Sequence, residues 1–116
     1  MRKLWHWQDG RQGTGYRIFT MLNSQLLNMD CHLIRYGVGS SIPPHVDPVI
    51  EGYGHFRLNI ELKAPKKGGE LVCEKSLFRW RGINYFRPDL VTHSVTKVEE
   101  GVRYVLSIGW KRKLKQ

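Results

Sequence analysis

Hydrophobic and polar residues alternate with a period of two along most of the chain after residue 30. The longest run is HFRLNIELK at residues 55–63, which the turn segment APKKGG follows. Such alternation predicts a β-strand with one buried face, bounded by Gly, Pro or charged turns. The other predicted strands are CHLIRY (31–36), ELVCEK (70–75), LFRWR (77–81), INYFRP (83–88), HSVTKV (93–98) and VRYVLSIGW (102–110).

Helix signals are weak throughout the sequence. Residues 19–27, FTMLNSQLL, could form one short helix, although the overlapping segment YRIFTML also favours a strand. Short strands at regular spacing, without helices between them, predict a mainly β fold, either a sandwich or a jelly roll. We expect the 116 residues to form a single domain, with its core at about 31–110 and a basic tail at 111–116.

The formal net charge of +9 is the strongest feature of the composition. A surface of this sign attracts polyanions, nucleic acid included, but no nucleic-acid-binding motif accompanies the charge, which favours a solvated basic face. No apolar run approaches the roughly 20 residues of a membrane helix, and a secretory leader is not indicated, so we expect a cytoplasmic protein. The two cysteines, Cys31 and Cys73, are widely spaced and predict neither a zinc site nor a disulfide. The basic groups are Arg2 and Lys3, Lys63 with Lys66 and Lys67, Arg79 with Arg81 and Arg87, and Lys111, Arg112, Lys113 and Lys115.

Prolines fix the backbone around one histidine and one aspartate in SSIPPHVDPVI. Pro44 disfavours a helix before His45, and Pro48 makes Asp47 extended. Residues two apart in an extended segment project from the same face, so the imidazole and the carboxylate point the same way. They would supply two ligands of the 2-His-1-carboxylate triad that binds non-haem Fe(II), although a hydrogen-bonded turn is the alternative for this pair alone. The candidates for a third ligand are His6, His32, His55 and His93.

His93 begins a predicted strand, and Arg103 follows ten residues later. The order His-X-Asp, distal His and then Arg resembles the Fe(II)- and 2-oxoglutarate-dependent dioxygenases, whose core is a double-stranded β-helix, or jelly roll. The resemblance covers residues 33–110. It extends to the flanking segments IRYGVGSSIPPHVD, RLNIELKAPKKGGELVCE and RYVLSIGW, which are similar to the strand before the first ligands, to the central strands with a Gly-Gly-Glu turn, and to the last core strand.

The resemblance implies a ligand set of His45, Asp47 and His93 for Fe(II), with 2-oxoglutarate as cosubstrate. It also implies that Arg103 binds the distal carboxylate of 2-oxoglutarate through a bidentate contact. His55 is the main rival to His93 as third ligand, because it lies eight residues after Asp47, but no arginine at the family's spacing follows it.

Other polar residues on the predicted strands are expected to complete the cosubstrate pocket. Ser107 shares the strand face of Arg103 and could donate a hydrogen bond to the same carboxylate. Tyr36 lies where several branches of the family contact the cosubstrate, and Asn59 is expected to be a hydrogen-bond donor there. Arg57 is assigned to substrate or cosubstrate, His32 to the mouth of the site, and Glu61 to a buried ion pair.

The flanking segments resemble prolyl hydroxylases most and aspartyl/asparaginyl hydroxylases next. The implied function is hydroxylation of a protein or peptide side chain, in which 2-oxoglutarate and O2 become succinate and CO2. Three alternatives stay open: a nucleic-acid-modifying oxygenase, a cupin-like metalloenzyme that uses no 2-oxoglutarate, and a non-catalytic basic jelly roll that binds a partner. The few residues before the core would leave an apolar edge for either a second copy or a substrate protein to cover, so a homodimer is one of two expected arrangements.

Overall fold

The computed structural model describes residues 5–9, 15–49 and 51–114, and the predicted charges of Arg2, Lys3 and Lys115 lie outside these residues. All regular structure in these ranges is β, and no described helix is long and apolar enough to cross a membrane. The strands are β1 (Trp7–Asp9), β2 (Arg17–Ser24), β3 (Met29–Tyr36), β4 (Ile42–His45), β5 (Tyr53–Lys63), β6 (Lys67–Gly68), β7 (Leu71–Cys73), β8 (Phe78–Trp80), β9 (Ile83–Phe86), β10 (His93–Val95), β11 (Val98–Glu100) and β12 (Arg103–Lys113).

The strands form a jelly roll from antiparallel sheets. A seven-stranded sheet has the order β1-β2-β3-β12-β5-β9-β8, and a three-stranded sheet has the order β4-β10-β7. The short strands β6 and β11 pair with each other. The mainly β prediction is therefore confirmed, and residues 19–27 continue β2 and form the turn to β3.

The inner face of the seven-stranded sheet carries both the apolar core and a set of polar side chains. In β12 the residues Arg103, Val105, Ser107 and Gly109 are buried, whereas the residues between them are only half-buried. Strand alternation therefore directs an arginine and a serine into the interior. The apolar core cluster consists of Tyr16, Ile18, Tyr36, Val95, Val98 and Val105.

Pairing of β4 with β10 places the two ends of the predicted His-X-Asp…His set side by side. His45, the last residue of β4, is the register partner of His93, the first residue of β10. Strand β4 contains Pro43 and Pro44, which lack the N–H group that a central strand needs. The strand is tolerated because β4 lies at an edge of its sheet.

Phe86 packs beneath the histidine pair His45 and His93. Its ring is 1% exposed and meets the His93 ring edge-on, with the centroids 5.1 Å apart. We predict that Phe86→Ala lowers the free energy of unfolding by about 3–5 kcal/mol, because it opens a cavity beneath β10. The matched control is Phe78→Ala, at a phenylalanine that is 55% exposed, which should cost less than about 1 kcal/mol. Urea denaturation measures both, and equal losses would contradict this assignment of the core.

Candidate metal centre and adjoining cavities

Three side chains from two segments of the chain converge at the end of the three-stranded sheet. Ligand atoms of His45, Asp47 and His93 all lie within 4.8 Å of one another. The distance from His45 Nε2 to Asp47 Oδ1 is 3.0 Å, and that from His93 Nε2 to the same oxygen is 3.7 Å. A metal about 2.1 Å from each ligand atom would hold them roughly 3 Å apart, so only a small closure is needed.

Backbone carbonyls orient both imidazoles. The Nδ1 atom of His45 lies 2.8 Å from the carbonyl oxygen of Pro43, and that of His93 lies 3.0 Å from the carbonyl oxygen of Val91. A carbonyl only accepts hydrogen bonds, so each Nδ1 carries the proton and donates it. Each Nε2 atom therefore faces the Asp47 carboxylate, and histidines that bind metals are oriented in the same way through their other ring nitrogen.

The surroundings favour a neutral imidazole at His93 and a fixed carboxylate at Asp47. Burial lowers the pKa of His93, which favours the uncharged imidazole that a metal requires. The backbone N–H of Asp47 donates a hydrogen bond of 2.7 Å to the carbonyl oxygen of Pro88, which ties the ligand loop to the segment before β10. The Asp47 side chain remains 17% exposed, so the site stays accessible from one side.

A cavity of about 740 Å³ extends from the three ligands toward the inner face of the seven-stranded sheet. Its far wall carries several of the residues predicted for the cosubstrate and substrate. They are His32, Tyr36, Asn59, Ser107 and Arg57, together with His55.

Arg57 and Lys111 both line this cavity, and Arg57 is the one held by hydrogen bonds to neighbouring strands. Its Nη1 donates a 2.7 Å hydrogen bond to Ser107 Oγ, and its Nη2 lies 2.8 Å from Asp30 Oδ1. The Ser107 hydroxyl in turn donates a 2.6 Å hydrogen bond to Asn59 Oδ1, so the amide group of Asn59 keeps its N–H donors. A Cβ atom at position 109 would collide with the Arg57 guanidinium, so Gly109 leaves the space in which the arginine lies.

Asp30 holds Arg57 and His32 at the cavity wall. Burial alone would raise the pKa of Asp30, but the hydrogen bond from His32 and the charge of Arg57 outweigh it and lower the pKa to about 2. The other ring nitrogen of His32 lies 3.0 Å from Thr20 Oγ1. His32 is thus fixed inside a hydrogen-bonded network, at the position where the sequence predicted a residue of the site.

His55, the rival third ligand, lies outside the group formed by the other three. Its Nε2 is 3.3 Å from Arg57 Nη2, and the guanidinium can only donate, so the proton of the neutral ring is on Nδ1. Burial, followed by the charge of Arg57, lowers its pKa to about 4. The Nδ1 atom is buried and has no partner among the described residues, so it is a donor available to a ligand in the cavity.

Arg103 lies beside a second, smaller cavity of about 340 Å³ rather than against the three ligands. Its Nε donates a 2.7 Å hydrogen bond to Glu61 Oε2, as expected of Glu61, and its guanidinium lies over the Tyr36 ring with 4.9 Å between them. Burial raises the pKa of Tyr36 to about 12, so its hydroxyl stays protonated. The two cavities share Asn59 and Leu71 in their walls.

Asn84 presents an unsatisfied amide to the second cavity. The side chain is 5% exposed, and neither its nitrogen nor its oxygen has a hydrogen-bond partner within the described ranges. A buried amide without partners costs free energy, so its position beside Arg103 indicates a polar ligand or water there.

The sequence analysis missed Asp30, Asn84 and Gly109. Asp30 continues the inward alternation of His32 and Tyr36, and Asn84 alternates with the buried Phe86, so the period of two contained a signal for both. No local signal marks Gly109, because its role depends on the arginine opposite it in the sheet.

No protein-family model matches the sequence, and no curated protein matches it. Among solved structures, the chain is similar to the viral collagen prolyl hydroxylase vCPH of Paramecium bursaria Chlorella virus-1 in complex with 2-oxoglutarate, with a TM-score of 0.55 and 22% identity over 76% of this chain and 61% of that one. It is also similar to a chain in the complex of Rhodobacter sphaeroides SigE with the anti-sigma ChrR, with a TM-score of 0.54 and 17% identity over 90% of this chain and 47% of that one.

The chain thus spans less than two thirds of either neighbour's length. At these identities the likeness concerns the fold, and the chain shares the jelly-roll architecture of a 2-oxoglutarate-bound hydroxylase. The His-Asp-His group lies at one end of the three-stranded sheet of this fold, where it could hold a metal ion.

Proposed function

We propose that the chain is an Fe(II)- and 2-oxoglutarate-dependent oxygenase that hydroxylates a protein or peptide side chain. The observation that carries the proposal is the convergence of His45, Asp47 and His93, with both imidazoles oriented through Nδ1 toward a common point. Three protein ligands leave coordination positions open, which is typical of a catalytic rather than a structural metal site.

The donor set fits Fe(II). Fe(II) bound by two neutral imidazoles and one carboxylate keeps a net charge of +1. This positive charge favours binding of a dianionic chelator such as 2-oxoglutarate. Bound together, these groups would supply the oxidising chemistry in which O2 and 2-oxoglutarate give succinate, CO2 and a hydroxylated substrate.

The cavities fit a dicarboxylate whose far end lies away from the metal ligands. Asn59 lines both cavities and Ser107 lines the larger one, so they would orient the chain of 2-oxoglutarate, and Arg103 would bind its distal carboxylate. The terminal nitrogens of Arg103 retain donors beyond the Nε contact with Glu61, and the unsatisfied amide of Asn84 offers one more. Tyr36 positions Arg103 from below its guanidinium plane.

Charged residues that line the larger cavity would bind the substrate. Arg57 and His32 lie on the cavity wall opposite the three ligands, where Asp30 fixes both, and Lys111 lines the same cavity. A protein or peptide substrate is favoured by the fold's likeness to a prolyl hydroxylase. A nucleic acid is the second candidate, because the formal net charge is +9.

We predict that wild-type protein titrated anaerobically with Fe(II) and 2-oxoglutarate develops the visible charge-transfer band of the iron chelate. His93→Ala should abolish the band, because two ligands do not hold the metal. His55→Ala is the matched control, since it removes an imidazole from the same cavity and should leave the band in place. If His55→Ala loses the band and His93→Ala keeps it, the third ligand is His55.

A second prediction separates the two buried arginines. Arg103→Ala should raise the 2-oxoglutarate concentration that gives half of the band by about 10- to 100-fold, since a hydrogen bond to a charged group contributes about 1.5–3 kcal/mol. Arg57→Ala should raise it by less than about fivefold. A larger effect of Arg57→Ala would place the distal carboxylate at the wall formed by Arg57 and Ser107 instead.

The substrate class is tested by succinate formation with Fe(II), 2-oxoglutarate and O2. We predict that proline-rich peptides raise succinate formation several-fold over the basal rate and gain one oxygen atom by mass spectrometry, whereas single-stranded oligonucleotides do neither. If oligonucleotides, but not peptides, raise succinate formation, the substrate is a nucleic acid. A protein that gives the iron–chelate band but no succinate under any condition would be a binding module.

A further inference from the structure

The outer face of the seven-stranded sheet is apolar across its full width. Register partners lie on the same face of a sheet, so the pairings define rows of side chains that run across the strands. One row crosses all seven strands. A second row crosses six of them two residues further along, or three residues on β2, where the pairing with β3 has a β-bulge. The first row is Trp7, Phe19, Leu33, Leu106, Ile60, Ile83 and Trp80, and the second is Leu22, Cys31, Ile108, Leu58, Tyr85 and Phe78.

A third row, of Met29, Trp110 and Phe56, lies beside the second. The Tyr85 ring stacks between the rings of Phe56 and Trp110, with centroids 6.2 Å and 5.7 Å away. None of the side chains in the three rows is buried, whereas the apolar cluster on the inner face is buried throughout. We call these three rows the outer apolar face.

The outer apolar face is too large to be a normal solvated surface. Six strand spacings of about 4.8 Å make it about 29 Å wide, and three rows make it about 14–20 Å deep along the strands. Contiguous apolar patches of several hundred square ångströms mark interaction sites on proteins. An antiparallel sheet that packs its core on one side normally carries polar residues on the other.

Cations border the outer apolar face on both of its long sides, beyond the first row and beyond the third row along the strands. On one side, Arg35 pairs in register with Arg17 and Tyr104, and Lys63 pairs with Tyr104. Arg17 itself forms an ion pair with Asp9, so Arg35 and Lys63 carry the positive charge of this side. On the other side, Arg112 lies two residues beyond Trp110 on β12. No acidic side chain in the described part of the chain forms an ion pair with Arg35, Lys63 or Arg112.

We propose that the outer apolar face binds an amphipathic helix of a partner protein, with acidic residues flanking the helix's apolar stripe. The apolar rows supply the contact area, and the cations at both borders select the sign of the flanking charges. The width of about 29 Å equals the length of a helix of about 20 residues.

A second copy of the chain fits this face less well. Two copies could pack face to face about a two-fold axis that runs either along the strands or along the rows. Either axis places a basic border of one copy over a basic border of the other. Like charges that meet across an interface are destabilising, so the charge pattern opposes this pairing. Sheet-on-sheet association is therefore an outcome that the experiment must distinguish.

The probe is a fluorescently labelled 20-residue helical peptide with leucines along one face and glutamates on both flanks, compared with a peptide whose flanks carry lysines. By fluorescence anisotropy, the glutamate peptide should bind the wild-type protein at least tenfold more tightly than the lysine peptide. Arg35→Glu should shrink this preference at least threefold, and Leu58→Glu, at the centre of the face, should remove binding. The matched control is Val72→Glu on β7 of the other sheet, at a side chain that is 51% exposed, and it should bind like the wild type.

Equal affinity for the two peptides, or no binding of either, would overturn the proposal. Sedimentation velocity of the protein alone should give a monomer at micromolar concentration. A dimer that Leu58→Glu dissociates would assign the face to a second copy instead. A single-stranded oligonucleotide whose binding is lost in Leu58→Glu but kept in Val72→Glu would assign the face to nucleic acid. Since Arg35→Glu changes only a border residue, its effect can be measured even if Leu58→Glu fails to fold.

Discussion

The candidate metal centre depends on how two histidines are held at their Nδ1 atoms. Each imidazole donates to the carbonyl oxygen two residues before it in the chain, and the pairing of β4 with β10 brings the two rings to a centroid distance of 4.3 Å. The hydrogen bonds fix the tautomer, and the sheet fixes the position. The backbone hydrogen bond from Asp47 to Pro88 then fixes the Asp47 loop, so that its carboxylate lies next to both Nε2 atoms.

The interior between the sheets can hold charged side chains because each buried arginine is paired with a carboxylate. Arg57 lies against Asp30, and Arg103 lies against Glu61, so neither guanidinium is buried alone. These pairs also set the sides of the cavities, with Arg57 facing the metal ligands and Arg103 facing the smaller cavity beyond Asn59. The unsatisfied atoms of His55 and Asn84 lie on these walls, which is expected of a site that a ligand completes.

Alternation in the sequence predicted the long strands well, because β12 buries every second residue over much of its length and β5 pairs with it from end to end. Alternation did not predict β4, because two prolines are evidence against a strand. This segment is a strand only because it pairs with β10. The spacing His-X-Asp, His and Arg pointed to His45, Asp47 and His93, and the fold brings these three side chains together. It could not show that the guanidinium of Arg103 turns toward Glu61, or that Gly109 makes room for Arg57, because both depend on cross-strand register.

The central claim is that two imidazoles and one carboxylate bind a single iron. X-ray absorption spectroscopy of the protein loaded anaerobically with one equivalent of Fe(II) counts the imidazole ligands directly. The account predicts two imidazoles in the wild-type protein and one in a His45→Ala protein loaded with excess Fe(II). One imidazole in the wild type, or an unchanged spectrum after the substitution, would contradict it.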